Sequence, residues 1–260
     1  MKVAYNLNER IDFIGIGVQK AGTTALYHYL HKHPDISISK HKELHYFSNS
    51  GIDFQEENMA GYKSYHQYFD WTKPGIRGEI TPRYCYVKQC IPLIYQYNPS
   101  IKLILLLRNP IERAFSHWNM RLQKNEIGNA TFATCLKAEM LRMNFENKFK
   151  SMPENDYIRR GLYSEQLIRI FDYFPPQQVL VLKYEDFREN QLQNLHRVFD
   201  FLGVSGANYK FEEKKVYHFP YTNEIDDFSL NLLNDIYTEE IEKVEKLLNW
   251  DCSDWKNGKI

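Results

Sequence analysis

Apolar residues in this chain gather into short uninterrupted runs, and the segments between the runs carry apolar residues at helical spacing. KLILLL at residues 102–107 and VLVLK at 179–183 are apolar almost throughout. Residues 11–17 form a further short run that ends in glycine. A strand covered by helices on both faces must be apolar at successive positions, so these runs predict interior strands of a parallel sheet. ISIS at residues 36–39 alternates and predicts a shorter strand, and Glu79 follows Gly78 at the end of another.

Residues 24–33 predict a helix that Pro34 ends. Asn109-Pro110 supplies a cap followed by proline in the first turn. Ile111, Ala114, Phe115 and Trp118 then mark one apolar helix face, which leaves Ser116 pointing away from it and places Arg113 in solvent. Further helices are predicted over 161–174 and 192–202, and a long one with a charged face over 227–250. Strands alternating with helices predict an α/β fold, a P-loop-like central parallel sheet flanked by helices. There is no repeat and no glycine-serine linker, so a single domain over 1–260 is expected, with 121–155 as a helical insertion over the sheet.

Composition narrows the class without choosing a function. Hydrophobic residues make up 43% of 260 residues and charged residues 25%, as in ordinary globular chains. Lysine plus arginine and aspartate plus glutamate both number 33, so the surface as a whole has no pull toward nucleic acid. The longest apolar stretch is strand-sized, and the N-terminal residues lack the apolar core of a signal peptide, so no membrane anchor is expected. Cys85, Cys90, Cys135 and Cys252 are scattered, without ligand or framework spacing, which fits reduced thiols and a cytoplasmic location. His28 and His31 could share a helix face near His33, His41 and His45, yet no ligand set is completed and no metal is expected.

The chemistry lies in GVQKAGTT, residues 17–24, between the first strand and the first helix. A glycine-containing turn leading into a helix aims several backbone N–H groups at one anion. Gly22 permits the turn, Ala21 precedes it, and Thr23 and Thr24 add hydroxyls at the helix start. A nucleotide triphosphatase loop would place lysine directly after the second glycine. Here Thr23 stands there and the lysine, Lys20, lies two residues before Gly22. With no such lysine and no evident magnesium carboxylate, a small-molecule kinase is the lesser reading. The plain alternative is an ordinary turn with Lys20 in solvent.

GVQKAGTTAL resembles the 5′-phosphosulfate loop of sulfotransferases that use 3′-phosphoadenosine 5′-phosphosulfate (PAPS). KLILLLRNPIERAFSHW resembles their 3′-phosphate signature, and KELHYF, GEITPRYCY, RGLYSEQL and FLGV continue the likeness in order. The series is most similar to heparan-sulfate glucosaminyl 3-O- and N-sulfotransferases and their bacterial relatives.

The resemblance implies a 5′-phosphosulfate site at Lys20, Ala21, Gly22, Thr23 and Thr24. It implies a 3′-phosphate grip at Arg108 and Ser116, and an aromatic near adenine at Tyr217. It also implies a catalytic base at Glu43 supported by His45, with Glu79 as the alternative base. The donor would be PAPS, the product 3′-phosphoadenosine 5′-phosphate (PAP), and no metal would be needed. Ser48 replaces an aspartate that is frequent in the family, and Ile80 a lysine, which suits a neutral or cationic small-molecule or carbohydrate acceptor. The family's C-terminal disulfide loop has no counterpart. A non-catalytic nucleotide-binding protein of the same fold is the remaining alternative.

Overall fold

The computed structural model describes residues 9–144, 154–210, 221 and 223–256. It separates into two compact units, the first made of 1–18, 22–107 and 169–216, the second of 19–21, 108–168 and 217–260.

The first unit holds a five-stranded parallel sheet: β1 (Phe13–Gly17), β2 (Ile36–Ile38), β3 (Ile76–Ile80), β4 (Lys102–Leu107) and β5 (Val179–Lys183), in the order β2-β3-β1-β4-β5. β1 is buried at every position and β4 at every position after Lys102. That is the reason both read as continuous apolar runs rather than alternating ones. β1 lies in the middle, pairing Ile14 with Glu79 of β3 on one side and with Leu103 of β4 on the other. Gly78 is required in β3 because the Phe13 ring occupies the space a Cβ would need. The expected strands at 102–107 and 179–183 are found at those bounds, and those at 11–17 and 36–39 are trimmed at their ends.

Helices α1 (Thr23–His31), α2 (Phe54–Met59), α3 (Lys63–His66) and α4 (Cys90–Tyr97) link the first four strands. The tyrosine-rich stretch 62–71 belongs to the core, since Tyr62, Tyr65 and Phe69 are all buried. Tyr65 stacks on Tyr46 with ring centroids 4.4 Å apart and meets Phe47 edge-on. His33 is structural: it is buried against Phe199, and its ring nitrogens meet the Ser205 carbonyl and the Asp35 amide.

α5 (Pro110–Gln123), α6 (Phe132–Asn144) and the start of α7 (Tyr163–Tyr173) lie in the second unit, the rest of α7, α8 (Tyr184–Glu189) and α9 (Gln191–Leu202) in the first, and the long α10 (Asp227–Leu248) in the second. Asn109 caps α5 as expected, its side chain accepting from the Ile111 and Glu112 amides. The expectation for Arg113 fails. α5 is buried at Ile111 and at every position from Arg113 to Asn119, and Arg113 is 0% exposed. Its guanidinium donates to the Tyr157 carbonyl instead of to water. The polar side of α5 is covered within its own unit, so helical spacing of apolar residues understates how much of it is enclosed. Glu139 on α6 is also fully buried, its carboxylate accepting from the backbone amides of Tyr157, Ile158 and Arg159 at 2.6, 2.8 and 2.9 Å. Among the described residues no helix is long and apolar enough to cross a membrane.

Candidate active site

The loop after β1 has the backbone that its glycines suggest. Lys20 has φ 74° and Gly22 φ 80°, both in the left-handed region. Gly22 then starts α1 and accepts from the Leu26 amide at 3.1 Å. A left-handed φ is inexpensive at glycine and strained at lysine, so Lys20 keeps this conformation against its own preference. α1 has no side-chain cap at its N-terminus and no acidic residue in its first turn. Nothing in that turn therefore opposes an anion, and the helix dipole favours one. Thr23 is buried beside it and Thr24 half-buried.

Arg108 directly follows β4 and is buried. Its Nε and Nη2 donate to Glu112 Oε2 at 3.2 and 2.7 Å, and its Nη1 donates to the Lys20 carbonyl at 3.2 Å. Its own carbonyl accepts from the Tyr163 hydroxyl at 2.8 Å. Arg108 thereby ties the strained Lys20 backbone to the first turn of α5. Ser116 lies two turns along that helix, nearly buried, rather than on a solvated face. The Glu112 contact was legible in the i, i+4 spacing of RNPIE, although sequence reading did not single it out. Tyr217 lies outside the described residues, as does most of the segment that precedes α10.

The KELHYF segment brings two expected residues together. Glu43 Oε2 lies 3.3 Å from His45 Nε2, and Glu43 Oε1 lies 3.2 Å from Lys42 Nζ. The Glu43 side chain is 27% exposed, open enough to meet an incoming group. His45 has φ 54° and opens the short 3-10 turn Tyr46–Ser48. Glu79 is the opposite case. It is 0% exposed, and its carboxylate accepts from the hydroxyls of Tyr65, Thr81 and Tyr84 at 2.6, 2.6 and 3.1 Å. Burial pushes its pKa up to about 7, the three hydroxyls pull it back, and the nearby Glu43 charge adds to the rise. Both Glu79 oxygens are engaged by hydroxyls, whereas Glu43 meets a histidine and a lysine at a partly open surface. The hydroxyl ligands were missed in the sequence. Their one local signal is the spacing of Thr81 and Tyr84, two and five residues after a glutamate in a buried strand.

Residues 10–257 match the family model described as the sulfotransferase domain. The membrane-associated sulfotransferase kil1 of Dictyostelium discoideum is 26% identical over 95% of this chain and 66% of its own length. Heparan sulfate glucosamine 3-O-sulfotransferase 5 of Mus musculus is 30% identical over 73% of this chain and 52% of its own. The chain thus spans between about half and two thirds of the length of these relatives. The crystal structure of a sulfotransferase from Alicyclobacillus acidocaldarius superposes with a TM-score of 0.79 at 28% identity, covering 96% of this chain and all of the other.

Proposed function

The chain belongs to the sulfotransferase domain family, and we propose that it moves a sulfuryl group from PAPS to a hydroxyl, or an amine, of a small-molecule or carbohydrate acceptor. The observation that carries this reading is the uncapped, acid-free start of α1 behind a left-handed Lys20-Ala21-Gly22 turn. Such a turn suits a ligand with one sulfuryl charge and one 5′-phosphate. The Lys20 ammonium and the amides that lead into Thr23 and Thr24 stabilise the negative charge that grows on the departing phosphate, the electrostatic contribution that usually dominates. A guanidinium and a hydroxyl, Arg108 and Ser116, take the 3′-phosphate, and Arg108 exchanges part of its Glu112 contact for it.

Glu43 accepts the acceptor's proton as the nucleophile attacks sulfur in line, and His45 orients the carboxylate from 3.3 Å. Glu79 is not the base in this reading, because it is fully buried and already accepts three hydroxyl bonds. The reaction is placed in the cytoplasm, a setting consistent with four cysteines none of which forms a disulfide. No metal step is invoked.

The test is sulfate transfer from radiolabelled PAPS across a panel of phenols, amines and neutral sugars, with calorimetry of PAP against AMP. Transfer to one acceptor class, and PAP bound far more tightly than AMP, is the expected result. Equal affinities would remove the 3′-phosphate grip. Magnesium-dependent turnover of ATP in place of sulfate transfer would move the chain to the kinase reading.

A further inference from the structure

We propose that Glu79 is a positioning residue for the Glu43 loop, acting through the hydroxyls of Thr81 and Tyr84, which hold the backbone amides on either side of His45. This inference rests on Glu43 being the base, and it adds the device that fixes where Glu43 stands.

The connection is a continuous set of hydrogen bonds within the first unit. Thr81 Oγ1 donates to Glu79 Oε2 at 2.6 Å and accepts from the Leu44 amide at 3.1 Å, with the His45 amide at 3.5 Å. Tyr84 donates to Glu79 Oε1 at 3.1 Å and its oxygen accepts from the Phe47 amide at 3.4 Å. Tyr65, the third donor, stacks on Tyr46 of the same loop. One buried carboxylate therefore touches the loop through three routes, reaching residues 44 to 47.

Proton bookkeeping makes the charge state decisive. A hydroxyl has one hydrogen and two lone pairs. An ionised carboxylate accepts only, so Thr81 and Tyr84 must aim their hydrogens at Glu79, leaving their lone pairs for the loop amides. A neutral carboxyl or a carboxamide has to donate at one end. That reverses one of the three bonds and turns a hydroxyl hydrogen back toward the amides it should accept from. Such chained bonds strengthen one another in a buried setting, and an imperfect one is correspondingly costly.

The groups facing Glu79 fix the direction of its pH response. Tyr65 comes from α3, Thr81 and Tyr84 from the loop after β3, Glu43 from the loop itself, and Tyr97 and Cys90 from α4. Burial holds the Tyr65, Tyr84, Tyr97 and Cys90 protons on, so these four groups stay neutral while Glu79 changes charge around neutrality. With a Glu79 pKa of about 7, acidification through neutrality switches the device toward its reversed form.

Amide hydrogen exchange on the whole chain tests this without any need for turnover. In the wild type, protection of the Leu44 and Phe47 amides, corrected for intrinsic exchange, should rise as pH climbs through about 7. Glu79→Gln should lower protection at these two amides at least tenfold and abolish the step, while β4 amides such as Ile104 keep theirs. Thr81→Val should expose Leu44 but spare Phe47, and Thr81→Ser should restore it. Protection at Leu44 and Phe47 within twofold of wild type in Glu79→Gln overturns the proposal. So does a uniform loss across β4, which would mark a merely structural role. Where transfer is measurable, Glu79→Gln and Thr81→Val should lower kcat about tenfold with the donor KM within twofold. Absence of transfer in the wild type would count against the proposed function, while the exchange result still decides the positioning role.

Discussion

Glu139 offers a test of how the second unit is held together. Its carboxylate is fully buried and accepts from three consecutive amides, those of Tyr157, Ile158 and Arg159, at 2.6 to 2.9 Å. The same segment receives the Arg113 guanidinium at the Tyr157 carbonyl and the Tyr237 hydroxyl at the Ile158 carbonyl, so it joins α5, α6 and α10. Glu139→Ala leaves three buried donors without their acceptor, at about 1–3 kcal/mol each.

The full sum is not expected. Burial raises the Glu139 pKa, so the ionised side chain is itself penalised in place, and that penalty disappears with it. Water entering the vacated space recovers more. The expected loss is about 4 kcal/mol for alanine, a large part of a typical total of about 5–15 kcal/mol. Glutamine keeps one oxygen for two of the amides but opposes the third with its own N–H, so about 2 kcal/mol is expected. Urea unfolding followed by tryptophan fluorescence is the assay, because Trp118, Trp250 and Trp255 lie in this unit and Trp71 in the other. An alanine variant within about 0.5 kcal/mol of wild type, the scale of a neutral surface change, would refute the reasoning.

Four other outcomes are expected. Because Glu79 has its pKa raised from 4.5 to about 7, the folded chain holds that proton more tightly; its contribution is most favourable below 4.5 and worsens by about 3 kcal/mol as pH rises to 7. Denaturation at several pH values should show this slope in the wild type and not in Glu79→Gln, and parallel curves would contradict it. Glu43→Gln should retain fold and PAP binding but lose about 10²–10⁴-fold in single-turnover rate, more than Glu79→Gln loses; the reverse order would make Glu79 the base. Lys20→Ala should lower kcat more than donor affinity, by about 10²–10³-fold, and a change confined to KM would make Lys20 a ground-state anchor. Arg108→Ala should weaken PAP binding by about 2–5 kcal/mol in calorimetry, and an unchanged affinity would exclude it from the 3′-phosphate grip.

The strands at 102–107 and 179–183, the Asn109-Pro110 cap and the left-handed glycine before α1 were all legible in the sequence. Each depends on neighbours within a few residues: a run of apolar side chains, a cap side chain reaching two or three amides onward, a φ that glycine adopts readily. The closeness of Glu43 and His45, 3.3 Å apart, was expected only from the resemblance of KELHYF to the family motif, not from their spacing. The order β2-β3-β1-β4-β5 was not legible, because it depends on which strands meet across long stretches of chain. That order sets β3 between β1 and β2, and the hydroxyl of Tyr65, brought from α3, completes the enclosure of Glu79. Arg113, which helical spacing assigned to solvent, and Glu139, which nothing in the sequence singled out, follow the same logic: both are charged residues on ordinary helices. They are buried because backbone groups distant in sequence, at 157–159, arrive to receive them. A side chain's charge is written in the sequence, but whether water or a partner meets it is decided by what folds over it.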